Sequence, residues 1–492
     1  MNRPDSTSHH RRLYGAVLLG ALLLGGCAVG PNYHRPAFAT PPQYKTAVTP
    51  AATTPAALPL ANWWTLFNDP LLNDLEHQVE VSNQNLAQSE AAFRQTVATE
   101  REARSALWPT VNGAASATRS GGSGGRGTSV VPSGSGSSTV VAPIVGGQTT
   151  TLYQANITAD WELDVWGRLR RQLESAKESS QASAADLATA TLSAQGQLAT
   201  AYLQLREADA ERDLVAATVT AYARALQITQ NRYDAGQAAK TDVLQAQTQL
   251  FTAQDQEASL ALQRSQLENS IAALIGKSAS AFTIEPAKEW HIPVPDIPVG
   301  VPSTLLERRP DIAAAERRMA AANAEIGVAE AAYFPSLTLS GGLTFVSTSV
   351  GTLFAHSSQS HNAQAALSDT ILDFGARRAQ VYGAHASYDQ AVATYRQTVL
   401  TAFQDVENFL IAASEQATEA GFLRAASAAA DETERLTLNQ YKAGTVAYTS
   451  VVVAQTAALT ARRSLAAMTV SQQTTAVSLA TALGGGWIPP AQ

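Results

Sequence analysis

The stretch that decides the fold is Asn231-Arg-Tyr-Asp-Ala-Gly236-Gln-Ala-Ala-Lys240-Thr-Asp242-Val243. It recurs 208 residues later (439 − 231) as Asn439-Gln-Tyr-Lys-Ala-Gly444-Thr-Val-Ala-Tyr448-Thr-Ser450-Val451. In both copies Tyr-x-Ala-Gly separates two polar amphipathic runs, which predicts a tight turn between helices with glycine at positive φ. The same offset relates Gly276 to Gly484. We therefore predict an internal duplication with one helical hairpin in each half.

The composition excludes several classes of protein. Charged residues make up 15% of the 492 residues and the formal net charge is −7, so no basic surface for nucleic acid is indicated. The single cysteine, Cys27, excludes an internal disulfide and a multi-cysteine metal site. No phosphate-binding loop, nucleophile elbow or His-Glu-x-x-His motif occurs in the sequence. We interpret His356 and His361 as solvated loop residues and predict no enzymatic activity, no cofactor and no metal site.

The N-terminus has the pattern of a secretion signal over residues 1–26. Two arginines precede an apolar run over residues 13–24, which is too short to cross a bilayer. The sequence Leu24-Gly-Gly-Cys27 is typical of a bacterial lipobox, so Cys27 is predicted to become the acylated first residue of the mature chain. Ala28 follows it, and by resemblance to other bacterial lipoproteins this residue favours the outer membrane as the destination.

Residues 27–70 are predicted to form a lipid-anchored strap. The segment is rich in Pro, Ala and Thr, a composition that favours extended chain without a core. Trp63 and Trp64 could be a binding platform, but we interpret them as packing the strap onto the helical body. Asn68 or Asp69 can cap the first helix.

The rest of the chain is predicted to consist of two repeats. Each repeat has the order helix, strand, loop, strand, long helix, turn, long helix. The boundaries are residues 71–276 for the first repeat, 277–302 for a Pro-rich linker, 303–485 for the second repeat and 486–492 for a C-terminal tail. The long helices are predicted over 168–234 and 377–441, each followed by a return helix, and the short ones over 71–107 and 304–333.

Four segments of the chain alternate in polarity with the period of a β-strand. The clearest runs from Tyr153 to Leu163, where every second residue is apolar or small. Similar alternation occurs over residues 110–118 and 336–345, and less regularly from Ala363 onwards. The Gly/Ser-rich segment 120–147 is predicted to be a flexible loop.

The four predicted strands of one chain are too few to close a transmembrane β-barrel. At about ten residues each they have the length of tilted transmembrane β-strands. Strands in hydrocarbon must close into a barrel, because unpaired N–H and C=O groups are costly there. Small barrels need about eight strands. The chain is therefore predicted to oligomerise, two copies supplying about 8 strands and three copies about 12.

Several motifs resemble one known family. They include Leu306-Glu-Arg-Arg-Pro310-Asp-Ile, Gly30-Pro-Asn-Tyr33, Trp63-Trp-x-x-Phe67-x-Asp69-Pro70 and Asp160-Trp-Glu-Leu-Asp164-Val-Trp166-Gly-Arg168. The chain is similar to the TolC/OprM-like outer-membrane factors of tripartite efflux pumps, in particular their NodT-like lipoprotein subgroup. The resemblance implies a homotrimer with a 12-stranded β-barrel continuous with a 12-helix periplasmic α-barrel. It also implies a periplasmic adaptor and an inner-membrane efflux pump as partners, and a function as the exit channel of the pump.

In that family the two helical turns form a gated periplasmic tip. Asp242 stands at the acidic position of the first repeat, whereas Ser450 and Val446 replace charged residues found in some relatives. A salt-bridged lock is therefore not expected here. The candidate tip residues are Tyr233, Asp234, Gly236, Lys240, Asp242, Tyr441, Lys442, Gly444 and Tyr448. Solvated turn charges are the competing interpretation for the charged members of this set.

Two other functions would account for parts of the sequence. A coiled-coil structural lipoprotein of the cell envelope would have the same helices, but it would not explain the duplicated hairpins. A general diffusion porin would devote most of its chain to strands. The sequence does not indicate the cargo, because selectivity in this type of pump usually resides in the inner-membrane component.

Overall fold

A computed structural model describes residues 28–38, 40–45, 60–121, 127–132, 139–144, 149–287, 293–297 and 308–488. The predicted signal sequence and the predicted acylation site Cys27 lie outside these residues. Among the described residues, no helix combines the length and the apolar composition that crossing a membrane requires.

The structure is mainly helical and contains one four-stranded sheet. The helices are α1 Pro70–Ser82, α2 Gln84–Ser105, α3 Arg168–Asp234, α4 Lys240–Leu274, α5 Pro310–Ala331, α6 Ala376–Lys442 and α7 Tyr448–Ala482. The strands are β1 Thr110–Ser120, β2 Gly127–Pro132, β3 Thr139–Ile144, β4 Thr150–Leu163, β5 Ser336–Ser347 and β6 Gln359–Ser368. Helices α3 and α6 have 67 residues each, α4 and α7 have 35 each, and both pairs begin 208 residues apart (376 − 168 and 448 − 240). The duplication that the sequence predicted is therefore present in the long helices residue for residue.

Two local predictions were wrong. The helix predicted over 71–107 is divided into α1 and α2, because Asn83 is extended (ψ 123°) and its side-chain oxygen accepts from the N–H groups of Asn85 and Leu86. The segment 120–147, predicted to be a flexible loop, contains the antiparallel pair β2–β3. Gly and Ser content indicated flexibility there, but the short Val-containing runs inside the segment favour strand pairing.

The start of α1 follows the predicted capping. Asp69 is the cap, since its Oδ1 accepts from the N–H groups of Leu71 (2.9 Å) and Leu72 (3.2 Å). Asn68 instead has a positive φ of 52°. A carboxylate at this position satisfies N–H groups that have no partner inside the helix.

The sheet has the strand order β1-β4-β5-β6, and all three pairings are antiparallel. The register places Gly113 opposite Ile157 and Ile157 opposite Leu343, and it places Leu337 opposite Leu367. Because side chains alternate between the faces of a strand, this register places most apolar or small residues of the four strands on one face. His361, which was predicted to be a loop residue, instead lies in β6 opposite Leu343 on this same face. Asn, Gln, Ser and Thr residues predominate on the other face.

The chain divides into two compact units, and the first contains the sheet. In this unit the N-terminal strap lies in extended form across the start of α3 and the C-terminal half of α5. The Arg171 guanidinium donates to the carbonyl oxygens of Val29 and Gly30 (both 3.2 Å). Gly30 has φ +97°, and a Cβ there would be 2.3 Å from the Cα of Gly327. Two glycines therefore permit the close backbone approach that positions the strap.

The second unit contains most of the four long helices and the main hydrophobic core. Trp63 and Trp64 are each 1% exposed and pack edge to face with ring centroids 5.8 Å apart. They lie in one cluster with Tyr202 of α3, Val406 of α6 and Val477 of α7. The interpretation of the tryptophans as packing residues is therefore confirmed.

A buried ionic network joins α3, α4 and the beginning of the linker. Asp209 accepts from Arg206 Nη1 (3.0 Å) and from Arg264 Nε (2.6 Å). Both arginines also donate to linker carbonyl oxygens, Arg206 to Glu285 and Arg264 to Ile284. Because removal of one member would leave a buried charge without compensation, this network holds the linker in one place.

Candidate functional site

The two helical turns have the same backbone geometry. At the α3–α4 turn, the N–H of Gly236 donates to the Tyr233 carbonyl (2.9 Å) and that of Gln237 to the Arg232 carbonyl (2.8 Å). At the α6–α7 turn, the N–H of Gly444 donates to Tyr441 (2.9 Å), and the Thr445 N–H makes the equivalent bond to Gln440 (3.0 Å). This pair of bonds is the Schellman motif, which requires a left-handed residue after the helix. Gly236 has φ +71° and Gly444 has φ +78°, as the sequence predicted.

The α6–α7 turn is closed by an apolar cluster. The rings of Tyr441 and Tyr448 meet edge to face with centroids 5.2 Å apart, and they are 4% and 1% exposed. Val451 and Ala246 complete the buried part of the cluster, and Val446 packs against it. Ala246 belongs to α4, so the cluster joins the two hairpins. Val446 thus has a packing role in this turn.

A second link between the hairpins comes from Arg232 near the end of α3. Its Nη1 donates to the Tyr441 carbonyl oxygen (2.8 Å), and its guanidinium carbon lies 4.6 Å from the centre of the Tyr441 ring. The Tyr441 hydroxyl is also 3.4 Å from Thr229 Oγ1. Arg232 therefore satisfies a carbonyl at the end of α6 and covers the adjacent ring, two interactions that favour a guanidinium over an ammonium.

The α3–α4 turn is more exposed than its counterpart. Here Lys240 occupies the position equivalent to Tyr448, and its Nζ lies 5.2 Å from the centre of the Tyr233 ring. Tyr233 is 38% exposed. Asp234 is exposed and accepts from Gln230 Nε2 on its own helix (2.8 Å). A ring–ring contact in one half is thus a ring–cation contact in the other.

Asp242 lies in the first turn of α4, where a carboxylate is favoured by the helix dipole. It is half-buried, whereas its counterpart Ser450 is exposed. Burial, with smaller effects of Tyr441, Tyr222 and Asp242, raises the pKa of Tyr448 to about 12. Because this pKa is raised above the ordinary value, the contribution of Tyr448 to stability is present at neutral pH and is lost as the pH rises from about 10 to about 12.

The structure thus brings some of the predicted tip residues into contact with each other and leaves others without such contacts. Tyr441 and Tyr448 contact each other, Tyr233 contacts Lys240, and Lys442 is exposed. Within the described part of the chain, no ion pair involves Asp234, Lys240, Asp242 or Lys442.

Sequence reasoning missed Arg232 and Thr229. A signal was present, because Arg232 stands inside the repeated motif and the second copy has Gln440 in its place. Such a difference between otherwise similar repeats indicates that only one copy makes the contact. The arrangement holds the ends of two hairpins together through one directional cationic link and one aromatic cluster.

A protein-family model matches most of the chain. The model described as "Outer membrane efflux protein" matches residues 75–277 and 301–485. The two matched segments contain both helical turns.

Individual proteins are similar over nearly the whole chain. The pyoverdine export outer membrane protein OpmQ of Pseudomonas putida is 30% identical over 445 residues, which cover 89% of this chain and 91% of OpmQ. The toluene efflux pump outer membrane protein TtgC of Pseudomonas putida is 29% identical over 459 residues, 93% of this chain and 92% of TtgC. The solved structure of the outer-membrane channel OprN superposes with a TM-score of 0.82 at 30% identity, covering 94% of this chain and 100% of OprN.

Replacing Arg232 tests the link between the turns. Arg232→Gln copies the residue of the second half and removes the charge that holds the Tyr441 carbonyl. A hydrogen bond from a charged group contributes about 1.5–3 kcal/mol. We therefore expect amide hydrogen exchange over residues 440–446 to become at least about tenfold faster, as measured by mass spectrometry on the detergent-solubilised protein. Arg224→Gln, at an exposed position of the same helix, is the control, and equal exchange in both variants would refute the link.

Proposed function

The chain belongs to the outer membrane efflux protein family and is an outer-membrane efflux channel, and on this premise we propose that it is the trimeric exit channel of a tripartite pump. In this assembly a periplasmic adaptor joins it to an inner-membrane pump that supplies the energy. The channel itself passes substrates from the periplasm to the exterior. Selection of the cargo is assigned to the inner-membrane pump.

The observation that carries the membrane part of the proposal is the register of the sheet. Three apolar residues on its apolar face are largely exposed in the single chain: Val111 (68%), Ile157 (53%) and Leu367 (70%). An extended apolar face on strands of about ten residues suits contact with lipid. The opposite face is polar, as the lining of an aqueous channel requires.

The edges of the sheet support a homotrimer. Strands β1 and β6 are the outer strands of the sheet, so each has one side that pairs with no other strand among the described residues. In hydrocarbon these backbone groups need partners, and further copies of the sheet supply them by pairing β1 of one copy with β6 of the next. Three copies give about 12 strands, which is within the range of closed barrels.

We assign the gate of the channel to the two helical turns. Arg232, Tyr441 and Tyr448 hold the two hairpins together, and opening must separate groups that these contacts join. Asp242 is proposed to contribute to the constriction. Three-fold symmetry would place three Asp242 carboxylates around one axis, where they would repel each other and attract cations.

The lipid anchor on Cys27 completes the proposal. The lipobox sequence supports it, because two glycines precede a single cysteine at the end of the apolar run. Acyl chains on the strap would hold the N-terminus at the inner leaflet of the outer membrane.

If the apolar face of the sheet contacts lipid, introducing a charge should disrupt the protein on that face and should be tolerated at the neighbouring residue on the polar face. Ile157→Arg places a charge on the apolar face, which costs roughly 2–4 kcal/mol near the middle of a bilayer. Thr158→Arg is the matched control on the polar face. In a strain lacking the gene, Ile157→Arg should fail to restore resistance to drugs and detergents and should give little heat-resistant trimer on gels, whereas Thr158→Arg should restore both. Equal behaviour of the two variants would overturn the assignment.

The gate assignment is tested by single-channel conductance in planar bilayers. Asp242→Ala should change the conductance, most strongly when divalent cations are present, because they bind the carboxylates of the wild type. Ser450→Ala changes the equivalent residue of the second half and should leave the current unchanged. Identical currents for wild type and Asp242→Ala would remove Asp242 from the gate.

The anchor is tested by mass spectrometry of the N-terminal peptide from purified membranes. We expect it to begin at Cys27 and to carry acyl chains, and we expect Cys27→Ser to abolish both the acylation and the processing. An unmodified Cys27 thiol would contradict the proposed anchor.

A further inference from the structure

Helix α1 presents an apolar face to the main hydrophobic core, and one member of that face is a carboxylic acid. The face has the spacing i, i+3, i+4 and i+7 and consists of Leu72, Leu75, Glu76 and Val79. Each of these residues is at most 1% exposed. The three apolar ones belong to the cluster that contains Trp63 and Trp64. The helical period therefore places an acid at a position where apolar residues are the rule.

The carboxyl group of Glu76 is buried without a partner. The residue is 0% exposed, and neither carboxyl oxygen accepts a hydrogen bond from any described residue. Because no part of the residue is accessible, a second copy of the chain cannot reach it unless the core opens. An ionised carboxylate in apolar surroundings is costly without a partner, so a carboxyl group in such a place retains its proton.

A second acid on the same helix disfavours the charge further. Glu80 lies one turn after Glu76, and its carboxylate accepts from Gln195 Nε2 of α3 (2.9 Å). Burial, and to a smaller extent the charge of Glu80, raises the pKa of Glu76 from 4.5 to about 9. Because this pKa is raised, the contribution of Glu76 to stability is full at low pH and is lost progressively as the pH rises to about 9.

The basic side chains on the elements around α1 are engaged elsewhere. Arg206 of α3 donates to the Tyr202 hydroxyl (3.1 Å) and pairs with Asp209 (3.0 Å). Lys277, which follows α4, donates to Gln78 (2.6 Å). Residues 60–67, and the core part of α7 over 470–483, contain no acidic or basic residue.

The other titratable groups on these elements also have partners. They are Asp69 with the Tyr202 hydroxyl, Asp74 with Gln78, His77 with the Trp64 ring, Glu268 with Arg264, Asp405 with Arg309 and Glu407 with the Lys45 N–H. No described cation therefore compensates a negative charge on Glu76.

We propose that Glu76 is a proton-operated latch: as an uncharged acid it packs α1 into the main core, and loss of its proton releases α1 from that core. The ionised group needs water, and water reaches it only when α1 moves away from its neighbours. Trp63 and Trp64 share the cluster with this face of α1, so the segment that carries them loosens together with the helix. The latch depends neither on the homotrimer nor on the gate proposed above.

Hydrogen exchange at matched pH tests the latch on the full-length protein in detergent. Glu76→Gln keeps the shape of the uncharged acid and cannot ionise. Dividing the α1 exchange rate of the wild type by that of Glu76→Gln at the same pH cancels the direct effect of pH on exchange. We expect this ratio to rise by up to about tenfold for each pH unit between about pH 6 and about pH 8, because the released carboxyl ionises freely and the buried one does not.

Glu80→Gln is the matched control, since it lies on the same helix and removes only the smaller contribution to the pKa of Glu76. The α1 exchange rate of this variant, divided by that of Glu76→Gln, should still rise with pH. A wild-type ratio that stays constant over this range would overturn the latch.

Infrared difference spectroscopy of the wild type gives a test that does not depend on the folding of a variant. Raising the pH from about 8 to about 10 should remove the C=O absorption of one protonated carboxyl group and add the absorption of a carboxylate. Absence of this change would show that Glu76 is already ionised and would overturn the proposal. Loss of the proton without faster exchange in α1 would overturn the release of the helix.

Discussion

Strands in hydrocarbon must pair every backbone N–H and C=O group, since no water is present to replace a missing partner. The sheet of this channel ends at β1 on one side and at β6 on the other, and its apolar face is largely exposed in a single chain. Both features agree with a chain that is one part of a larger cylinder. A similar difference is found in the helices, where Leu459 of α7 is 8% exposed and its counterpart Phe251 of α4 is 63% exposed.

The duplication gives one chain two equivalent helical hairpins whose turns and surfaces make different contacts. Helices of equal length at a fixed offset place equivalent residues at equivalent positions. The substitutions between the halves then differentiate the contacts. Arg232 corresponds to Gln440, Tyr448 to Lys240 and Asp242 to Ser450, so the two turns have one backbone geometry and different side-chain chemistry. A ring of such chains would alternate two kinds of turn, only one of which is closed by an aromatic cluster and an arginine.

The strap shows how a segment without a core can still be ordered. Its residues 28–38 and 40–45 form neither helix nor strand, and the part near Gly30 is positioned by hydrogen bonds to carbonyl oxygens and by the close approach of Gly30 to Gly327. Asp209 holds the linker in a similar way, through arginines that donate to linker carbonyls. In both places backbone groups that lack regular secondary structure obtain partners from long cationic side chains.

The sequence by itself determined the duplicated architecture, the four alternating strands and the glycine turns, because periodicity, offset and positive φ are local properties that residue types reveal. It also determined family membership through motifs such as Pro310-Asp-Ile and Trp63-Trp64. Only the tertiary structure decided that Arg232 binds the Tyr441 carbonyl and that Leu459 is buried while its counterpart Phe251 is exposed. These features depend on which surfaces meet across about 200 residues of sequence, and a residue's type does not reveal what covers it until the chain has folded.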